Sequence, residues 1–231
     1  AGLLARMPDE VPEWAPLRVK ERSQVVPVGV DFSALDQALT KAEPQTGPLR
    51  ILWNHRWEHD KAPDAFFRVL FDLAETGCDF ELAVVGERFR AAPDIFEEAR
   101  ERLEAHIVVW GYRESREDYA RVLVESDVVV STAQHEFFGM AVVEAVYAGC
   151  LPLLPNRLSY PELLPDEMHE RCLYEGEGVL KNALRALCID PEPAREFDGR
   201  PAMSPYSWKH VAPLLDSAVE RVAVRRKNRN E

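Results

Sequence analysis

Two glutamates, Glu136 and Glu144, stand with seven residues between them around the turn Phe137-Phe138-Gly139. The apolar run 127–131 predicts a buried strand before the turn, and the run 139–148 predicts a helix after it. In parallel sheets, ligands bind just outside the carboxyl ends of the strands, where helix N-termini point N–H groups at anions. A carboxylate repels a bare phosphate but accepts hydrogen bonds from hydroxyl groups. One glutamate on a sugar, one on a ribose and the helix N-terminus on the phosphates between them would describe a nucleotide-sugar site, although the spacing of two glutamates alone is not specific.

Two cations follow the first predicted strand, 49–53. Arg56 and Lys61 lie in the turn 54–63, just before a predicted helix. Arginine grips phosphate oxygens with two parallel hydrogen bonds, and lysine supplies a mobile point charge. In a site without metal, both would stabilise the charge that develops on a departing diphosphate. An exposed loop with ordinary charges is the simpler interpretation of this turn alone, but the glutamate pair on the same sheet edge favours diphosphate binding.

These side chains require a scaffold of alternating strands and helices, which the chain shows from Leu49 onward. Apolar strands between helices predict an α/β fold, a Rossmann-like parallel sheet with helices on both faces. A helix is predicted over 115–125, with Ser115 as its N-cap. A further short strand is predicted over Ser23–Asp31, running into a glycine turn. The other predicted strands are 80–85, 107–110, 151–154 and 172–174, and the other predicted helices are 63–76, 93–104, 160–164, 179–188 and 207–225.

The glutamate motif resembles the signature of the GT4 family of retaining GT-B glycosyltransferases. The similarity comprises Ser131, Glu136, Phe138-Gly139, Glu144-Ala145 and the stretch 148–152 with its Ala-Gly-Cys and Pro. It implies that the chain is the donor-binding, C-terminal half of a GT-B fold.

The same resemblance assigns roles to the site residues. Glu136 is expected to bind hydroxyls of the donor sugar and Glu144 those of the ribose, while Arg56 and Lys61 stabilise the leaving diphosphate. Glu136, Arg56 and Lys61 are thus the expected catalytic residues. Transfer with retention at the anomeric carbon is implied. The further binding residues are Phe137, Phe138 and Gly139, through backbone N–H groups that face the sugar or the distal phosphate.

Some aromatic residues are weaker candidates. Phe137 stands where the family often has glycine, which would narrow the sugar pocket. Trp110, Gly111 and Tyr112 follow the third predicted strand, where the family seats the base, although aromatic residues there more often belong to the core.

The block Trp53–Lys61, with Met7-Pro8-Asp9 and the stretch before Val25, is similar to the tRNA-queuosine mannosyltransferase group. This implies GDP-mannose as the favoured donor, tRNA as the acceptor and a cytoplasmic location. The alternatives are a GT-B phosphorylase or epimerase, and a non-catalytic nucleotide-binding or RNA-docking module.

Three regions are expected. Residues 1–48 are proline-rich and contain Val25–Asp31, which resembles the segment that closes the N-terminal domain of GT-B enzymes, followed by a linker. Residues 49–205 form the nucleotide-sugar-binding domain, and 206–231 form a crossing helix with a basic tail. The acceptor is expected to bind mainly through a missing N-terminal domain, so the chain alone should bind nucleotide but transfer little or nothing.

Composition limits the other function classes. The chain has 231 residues, 46% of them apolar, and a net charge of −12, which disfavours a grip on nucleic acid by the chain alone. The basic run Arg221, Arg225, Arg226, Lys227 and Arg229 is interpreted as a solvated helix end, with an RNA contact as the alternative. No apolar run approaches the roughly 20 residues of a membrane span.

No metal and no tightly bound cofactor are expected. The chain contains no Asp-x-Asp motif, and His55 and His59 with Glu58 between them lie in a predicted loop, where this spacing does not place them on one face. His135 is expected near the same edge. Four cysteines without a Cys-x-x-Cys spacing indicate buried free thiols, rather than a disulfide or a zinc site.

Overall fold

The structure is a computed structural model that describes residues 14–88 and 92–227. It divides into two compact units. One unit is Val30–Ser207, and the other combines the segment that ends at Gly29 with the segment that begins at Trp208. The predicted residues Met7-Pro8-Asp9 and Arg229 lie outside the described residues.

A parallel sheet of six strands forms the centre of the unit Val30–Ser207, in the order β3-β2-β1-β4-β5-β6. β1 pairs with β2 along its whole length, from Leu49 opposite Phe80 to Trp53 opposite Val84. The strands are largely buried because helices cover both faces. They are β1 (Leu49–Trp53), β2 (Phe80–Val84), β3 (Ile107–Trp110), β4 (Val128–Val130), β5 (Leu151–Pro155) and β6 (Leu173–Tyr174).

The helices of this unit form two layers. From β1 the chain adds β2 and β3 toward one edge of the sheet, and from β4 it adds β5 and β6 toward the other edge. Because each crossover is right-handed, the connecting helices of these two halves lie on opposite faces. Accordingly α3, α4 and α9 pack on one face, and α2, α5 and α6 pack together on the other. In chain order the helices are α2 (Ser33–Leu39), α3 (Pro63–Glu75), α4 (Ile95–Arg102), α5 (Arg116–Val124), α6 (Met140–Ala148), α7 (Tyr160–Leu163), α8 (Asp166–Cys172), α9 (Glu177–Ile189), α10 (Glu192–Arg195) and α11 (Arg200–Met203).

The other unit contains α1 (Ala15–Arg22) and α12 (Trp208–Lys227). Gly29 lies flat against the indole of Trp208, where a Cβ atom would meet ring carbons at 2.5 Å. The side chains of Gln24 and Arg221 are hydrogen-bonded to each other. Among the described residues, no helix combines the length and apolarity that a membrane crossing requires.

The predicted fold class is confirmed, with one local exception. The strand predicted over Ser23–Asp31 is wrong, because only Val30 forms an isolated bridge, to Ser207. Val25 is 93% and Val28 47% exposed, so these valines pack on no sheet, whereas Val30 is buried. A strand needs a neighbour to satisfy its backbone hydrogen bonds, and sequence alternation does not supply one.

Candidate functional site

The predicted site residues gather where the strand order reverses. β1 and β4 are neighbours, and the chain leaves them in opposite directions across the sheet, which opens a crevice at their carboxyl ends. The turn after β1 carries Arg56 and Lys61, and the turn after β4 carries Glu136. Both cations and the first glutamate therefore lie at one edge of the sheet.

Lys61 and Glu136 are in direct contact. The Lys61 side chain is buried, and its Nζ lies 3.4 Å from Glu136 Oε2, 3.2 Å from Asp60 Oδ2 and 2.7 Å from the carbonyl oxygen of His135. The next residue, Ala62, adopts φ +48°, which is strained for a residue with a Cβ atom. Thr132 holds this turn by placing its hydroxyl against the carbonyl oxygens of Lys61 and Ala62, at 2.9 and 3.0 Å.

The carboxylate of Glu136 also organises its own turn. Its Oε1 accepts hydrogen bonds from the backbone N–H groups of Phe137 and Gly139 at 3.0 Å and of Phe138 at 3.4 Å. These are the N–H groups that the sequence assigns to the sugar or the distal phosphate. Gly139 has φ +93°, which lets α6 begin immediately after the turn. The arrangement is a compact loop with a carboxylate at its centre and a lysine beside it.

Glu144 is buried. Its Oε1 accepts from Arg116 at 2.8 Å, and its Oε2 accepts from the Tyr119 hydroxyl at 3.1 Å. Asn54 donates through Nδ2 to Tyr119 Oη at 3.2 Å and to the carbonyl oxygen of Ala141 at 2.8 Å. Burial, followed by the charge of Glu144, raises the pKa of Tyr119 well above its usual value, so its hydroxyl stays a donor at neutral pH.

A cavity of about 280 Å³ opens beside this network. Arg56 lies on its rim, exposed and paired with Glu58 at 3.0 Å, and Tyr112 is exposed at another wall. Two buried polar atoms of its lining, Asn54 Oδ1 and His55 Nε2, have no hydrogen-bond partner among the described residues. Buried polar atoms in proteins are nearly always paired with protein groups, water or a ligand, so these two atoms are available for hydrogen bonds to a molecule in the cavity.

His55 is neutral at physiological pH. Burial, and then the positive charge of Lys61, lower its pKa to about 4. The imidazole is therefore a neutral hydrogen-bonding group and adds no charge to the edge.

The remaining sequence candidates are spread more widely. Trp110 packs into an aromatic cluster with Trp57 and Phe96, so its place is in the core, whereas Tyr112 faces the cavity. His59 and His135 are exposed. No group of three or more His, Cys, Asp or Glu within the described parts of the chain is arranged to hold a metal ion. All four cysteines carry free thiols.

Sequence reasoning missed three members of the Glu144 network, Asn54, Arg116 and Tyr119. Two signals for them exist in the sequence. Asn54 is the first polar residue after β1, and Arg116 and Tyr119 lie one turn apart at the start of α5, the helix after β3. Residues in these positions face the same crevice as the turn after β4.

The sequence pattern that defines the family "Glycosyl transferases group 1" matches residues 37–199 of this chain, which include every candidate site residue. The chain belongs to this family. The match agrees with a donor site at the β1–β4 crevice.

Curated relatives narrow the similarity. The tRNA-queuosine alpha-mannosyltransferase of Drosophila melanogaster is 40% identical over 148 residues, which cover 64% of this chain and 38% of the relative. The GDP-mannose-dependent alpha-(1-6)-phosphatidylinositol dimannoside mannosyltransferase of Mycobacterium tuberculosis is 24% identical over 205 residues, which cover 86% of this chain and 52% of the relative. The chain therefore spans about half or less of the length of these two relatives.

Solved structures agree on the fold. Sucrose-phosphate synthase from Thermosynechococcus elongatus superposes with a TM-score of 0.70 at 17% identity, over 87% of this chain and 53% of that one. The C-terminal domain of LpcC, a glycosyl transferase group 1 family protein from Francisella tularensis, superposes with a TM-score of 0.60 at 19% identity, over 78% of this chain and 99% of that domain. HepE from Anabaena in complex with UDP superposes with a TM-score of 0.64 at 17% identity, over 87% of this chain and 57% of that one. At these identities the likeness shows the GT-B fold alone.

Proposed function

We propose that this chain is the donor-binding part of a retaining glycosyltransferase that moves a sugar from a nucleoside diphosphate to an acceptor. One observation carries the proposal, the contact at 3.4 Å between Lys61 Nζ and Glu136 Oε2 at the β1–β4 crevice. A cation for a diphosphate and a carboxylate for sugar hydroxyls stand side by side there, as the transfer chemistry requires.

Donor binding would rearrange this contact. Lys61 Nζ donates hydrogen bonds to the carbonyl oxygen of His135 and to Glu136, and it forms an ion pair with Asp60. A phosphate oxygen would replace the longest contact, to Glu136, and keep those to His135 and Asp60. The freed carboxylate oxygen of Glu136 would then accept from the sugar, so that diphosphate and sugar are recognised together.

Arg56 and Glu144 would hold the rest of the donor. Arg56 is exposed at the rim of the cavity of about 280 Å³, and swinging away from Glu58 would bring its guanidinium to the diphosphate. Glu144, fixed by Arg116 and Tyr119, would accept from the ribose hydroxyls. The backbone N–H groups of residues 137–139 would bind the sugar or distal phosphate once Glu136 turns toward the donor. Because Lys61 and Arg56 supply the positive charge, no metal is required in this proposal.

The donor is proposed to be GDP-mannose and the acceptor queuosine in tRNA, which would place the reaction in the cytoplasm. Support for the acceptor comes from the name of the relative in Drosophila melanogaster. Support for the donor comes from the relative in Mycobacterium tuberculosis, which is named as GDP-mannose-dependent. Acceptor binding would depend mainly on parts of the protein outside this chain.

Calorimetric titration of the chain with GDP, UDP and ADP in the presence of a metal chelator tests the donor. We expect GDP to bind most tightly and Arg56→Ala to weaken its binding. Absence of binding by all three nucleotides would contradict the donor-site proposal. Equal binding of all three would contradict the choice of guanine.

Transfer of labelled mannose from GDP-mannose to tRNA tests the acceptor in the protein that contains this chain. Label should enter tRNA that carries queuosine and not the same tRNA with guanosine at that position. Label in both tRNAs, or in neither while GDP binding persists, would contradict the acceptor assignment and leave the donor site standing.

A further inference from the structure

Phe137 presents a bare aromatic ring to solvent beside the candidate sugar carboxylate. Its side chain is 99% exposed, the highest value among the large apolar residues of the described chain. Its neighbour Phe138 is half-buried and packs edge-on against Tyr206, with ring centroids 5.3 Å apart. An isolated exposed apolar residue is common on protein surfaces, so exposure alone decides nothing.

The loop that carries the ring is tightly fixed, which distinguishes Phe137 from a mobile surface residue. Glu136 binds the backbone N–H groups of the turn, and Lys61 binds Glu136. At the start of the loop, Ser131 Oγ is 2.7 Å from the hydroxyl of Tyr160. At its end, Gly139 lies against Tyr160, where a Cβ atom would be at ordinary contact distance, 3.4 Å, from that ring. The backbone that carries the exposed ring is therefore fixed before any ligand arrives.

Arg157 adds a cation to the same loop. Its Nε donates to the carbonyl oxygen of Ala133 at 3.2 Å and its Nη2 to that of Thr132 at 3.1 Å. The residue is exposed, and no acidic side chain in the described ranges lies within salt-bridge distance of it. It lines a cavity of about 730 Å³ at the carboxyl ends of β4, β5 and β6. Leu158, the next residue, adopts φ +62°, a conformation that costs free energy and persists only where the surrounding structure imposes it.

We propose that Phe137 and Arg157 form an acceptor contact for single-stranded RNA, in which the ring stacks on an unpaired base and the guanidinium binds a backbone phosphate. The inference rests on the proposed function, because it requires an RNA acceptor. Proteins recognise RNA loops through bases stacked on aromatic side chains beside cations. Phe137 follows Glu136 directly, so a base stacked there lies next to the sugar that Glu136 would orient.

The net charge of −12 makes a broad electrostatic grip on RNA unfavourable. A local contact of one ring and one guanidinium avoids this difficulty. It predicts weak binding with a small salt dependence, in contrast to the steep dependence of a basic surface.

The probe is a fluorescent anticodon stem-loop RNA that carries queuosine, titrated against the protein that contains this chain and followed by anisotropy. Phe137→Ala should weaken binding by about 5- to 100-fold, the range of one lost base stack, and Phe137→Tyr should restore it. Ile189→Ala is the matched control, because it truncates an exposed apolar residue at the end of α9. It removes no stacking surface for a base and should change binding by less than about twofold.

The salt series tests Arg157 separately. Arg157→Gln should reduce the slope of log affinity against log salt concentration by about 0.7, the value for one phosphate contact on a single strand. Arg185→Gln is the control, because Arg185 contacts Thr76 at the opposite edge of the sheet, and it should leave the slope unchanged.

Three results of the RNA titrations would overturn the inference. They are equal effects of Phe137→Ala and Ile189→Ala on RNA binding, an unchanged salt slope in Arg157→Gln, and no binding of the stem-loop by the wild-type protein. A loss of GDP-mannose affinity in Phe137→Ala that exceeds the loss of RNA affinity would also overturn it and would place the ring over the donor sugar. A parallel titration with GDP separates these results from failure of the donor site, because GDP binding does not depend on the acceptor.

Discussion

His55 shows how the fold sets the charge of a single residue at the site. Burial and the neighbouring Lys61 lower its pKa to about 4 from the usual 6.5, outweighing the opposite influence of Glu136 and Asp60. Above pH 6.5 the imidazole is neutral in both the folded and the unfolded chain. Between that pH and about 4, only the unfolded chain binds the proton, so acidification favours unfolding.

The free energy of unfolding should therefore fall as pH drops from 6.5 toward 4, with His55 contributing up to about 3 kcal/mol of the loss. Urea denaturation of wild type and His55→Gln at several pH values measures this contribution. The variant should show a flatter pH dependence, while His59→Gln, which alters an exposed histidine, should follow the wild type. Parallel curves for wild type and His55→Gln would contradict the assigned pKa.

The sequence supports the prediction of single residues only where local spacing identifies them. Glu136 and Lys61 follow strands in recognisable turns, and the structure brings them into contact. Arg116 and Tyr119 belong to the same site, but they reach Glu144 across 28 and 25 residues of chain. Such contacts depend on how α5 packs against α6, which periodicity within either helix does not determine.

At the scale of elements, Gly86 lies just after β2, where the chain passes very close to the turn after β1. This close approach requires a residue without a side chain. Gly86 has φ +154°, and a Cβ atom there would lie 1.9 Å from the carbonyl oxygen of His55. Any side chain must displace the backbone of the turn that carries Arg56.

Gly86→Ala should destabilise the chain by about 3 kcal/mol or more and weaken GDP binding together with stability. Gly77→Ala is the control, because Gly77 also has positive φ but has open space around its Cβ position. This substitution should lower the free energy of unfolding by about 1 kcal/mol, from backbone strain alone. Urea denaturation and GDP titration of both variants test this comparison. Equal losses would show that the contact with His55 does not matter.

Asp127 joins elements at the opposite edge of the sheet. Its buried carboxylate accepts from the backbone N–H of Arg50 at 2.8 Å and pairs with Arg195 at 3.1 Å. Arg195 also donates to the carbonyl oxygen of Gly47, so one ion pair ties the entry to β1, the start of β4 and α10 together.

Arg195→Leu leaves that carboxylate buried without its partner and should cost roughly 3 kcal/mol of unfolding free energy. Arg102→Leu removes an exposed arginine that pairs with Glu98 and Glu75 in solvent, and it should cost clearly less than Arg195→Leu. Thermal and urea unfolding compare the two variants. A loss for Arg195→Leu no larger than for Arg102→Leu would contradict the structural role of Asp127.

Strands and helices were the most predictable elements where apolar runs are flanked by turn residues. The bounds predicted for 49–53 and 107–110 match the structure, and Ser115 caps α5 by accepting from the backbone N–H of Asp118. The sequence did not reveal α2, α8, α10 or α11, which are short and depend on tertiary packing. The strand predicted over Ser23–Asp31 is wrong, because a strand-like sequence forms no strand where no neighbouring strand pairs with it.

For the whole molecule, the reversal of strand order between β1 and β4 explains why residues distant in sequence share a site. The turn after β1 and the turn after β4 are separated by more than seventy residues, yet Lys61 and Glu136 touch. The family match covers residues 37–199, and the likeness to solved structures shows the fold. The donor site proposed above lies at the crevice that this reversal opens.

Lys61 is proposed to bind the diphosphate of the donor at the β1–β4 crevice. The most direct measurement is calorimetric titration of wild type and Lys61→Met with GDP and with guanosine, each variant first shown to be folded by near-ultraviolet circular dichroism. Lys61→Met should weaken the binding of GDP by about 10- to 100-fold, which is the effect of losing one charged hydrogen bond. It should weaken the binding of guanosine much less. Lys181→Met, which removes a lysine paired with Asp72 away from the crevice, should bind GDP like the wild type. Equal losses for GDP and guanosine, or no loss for either, would contradict the claim.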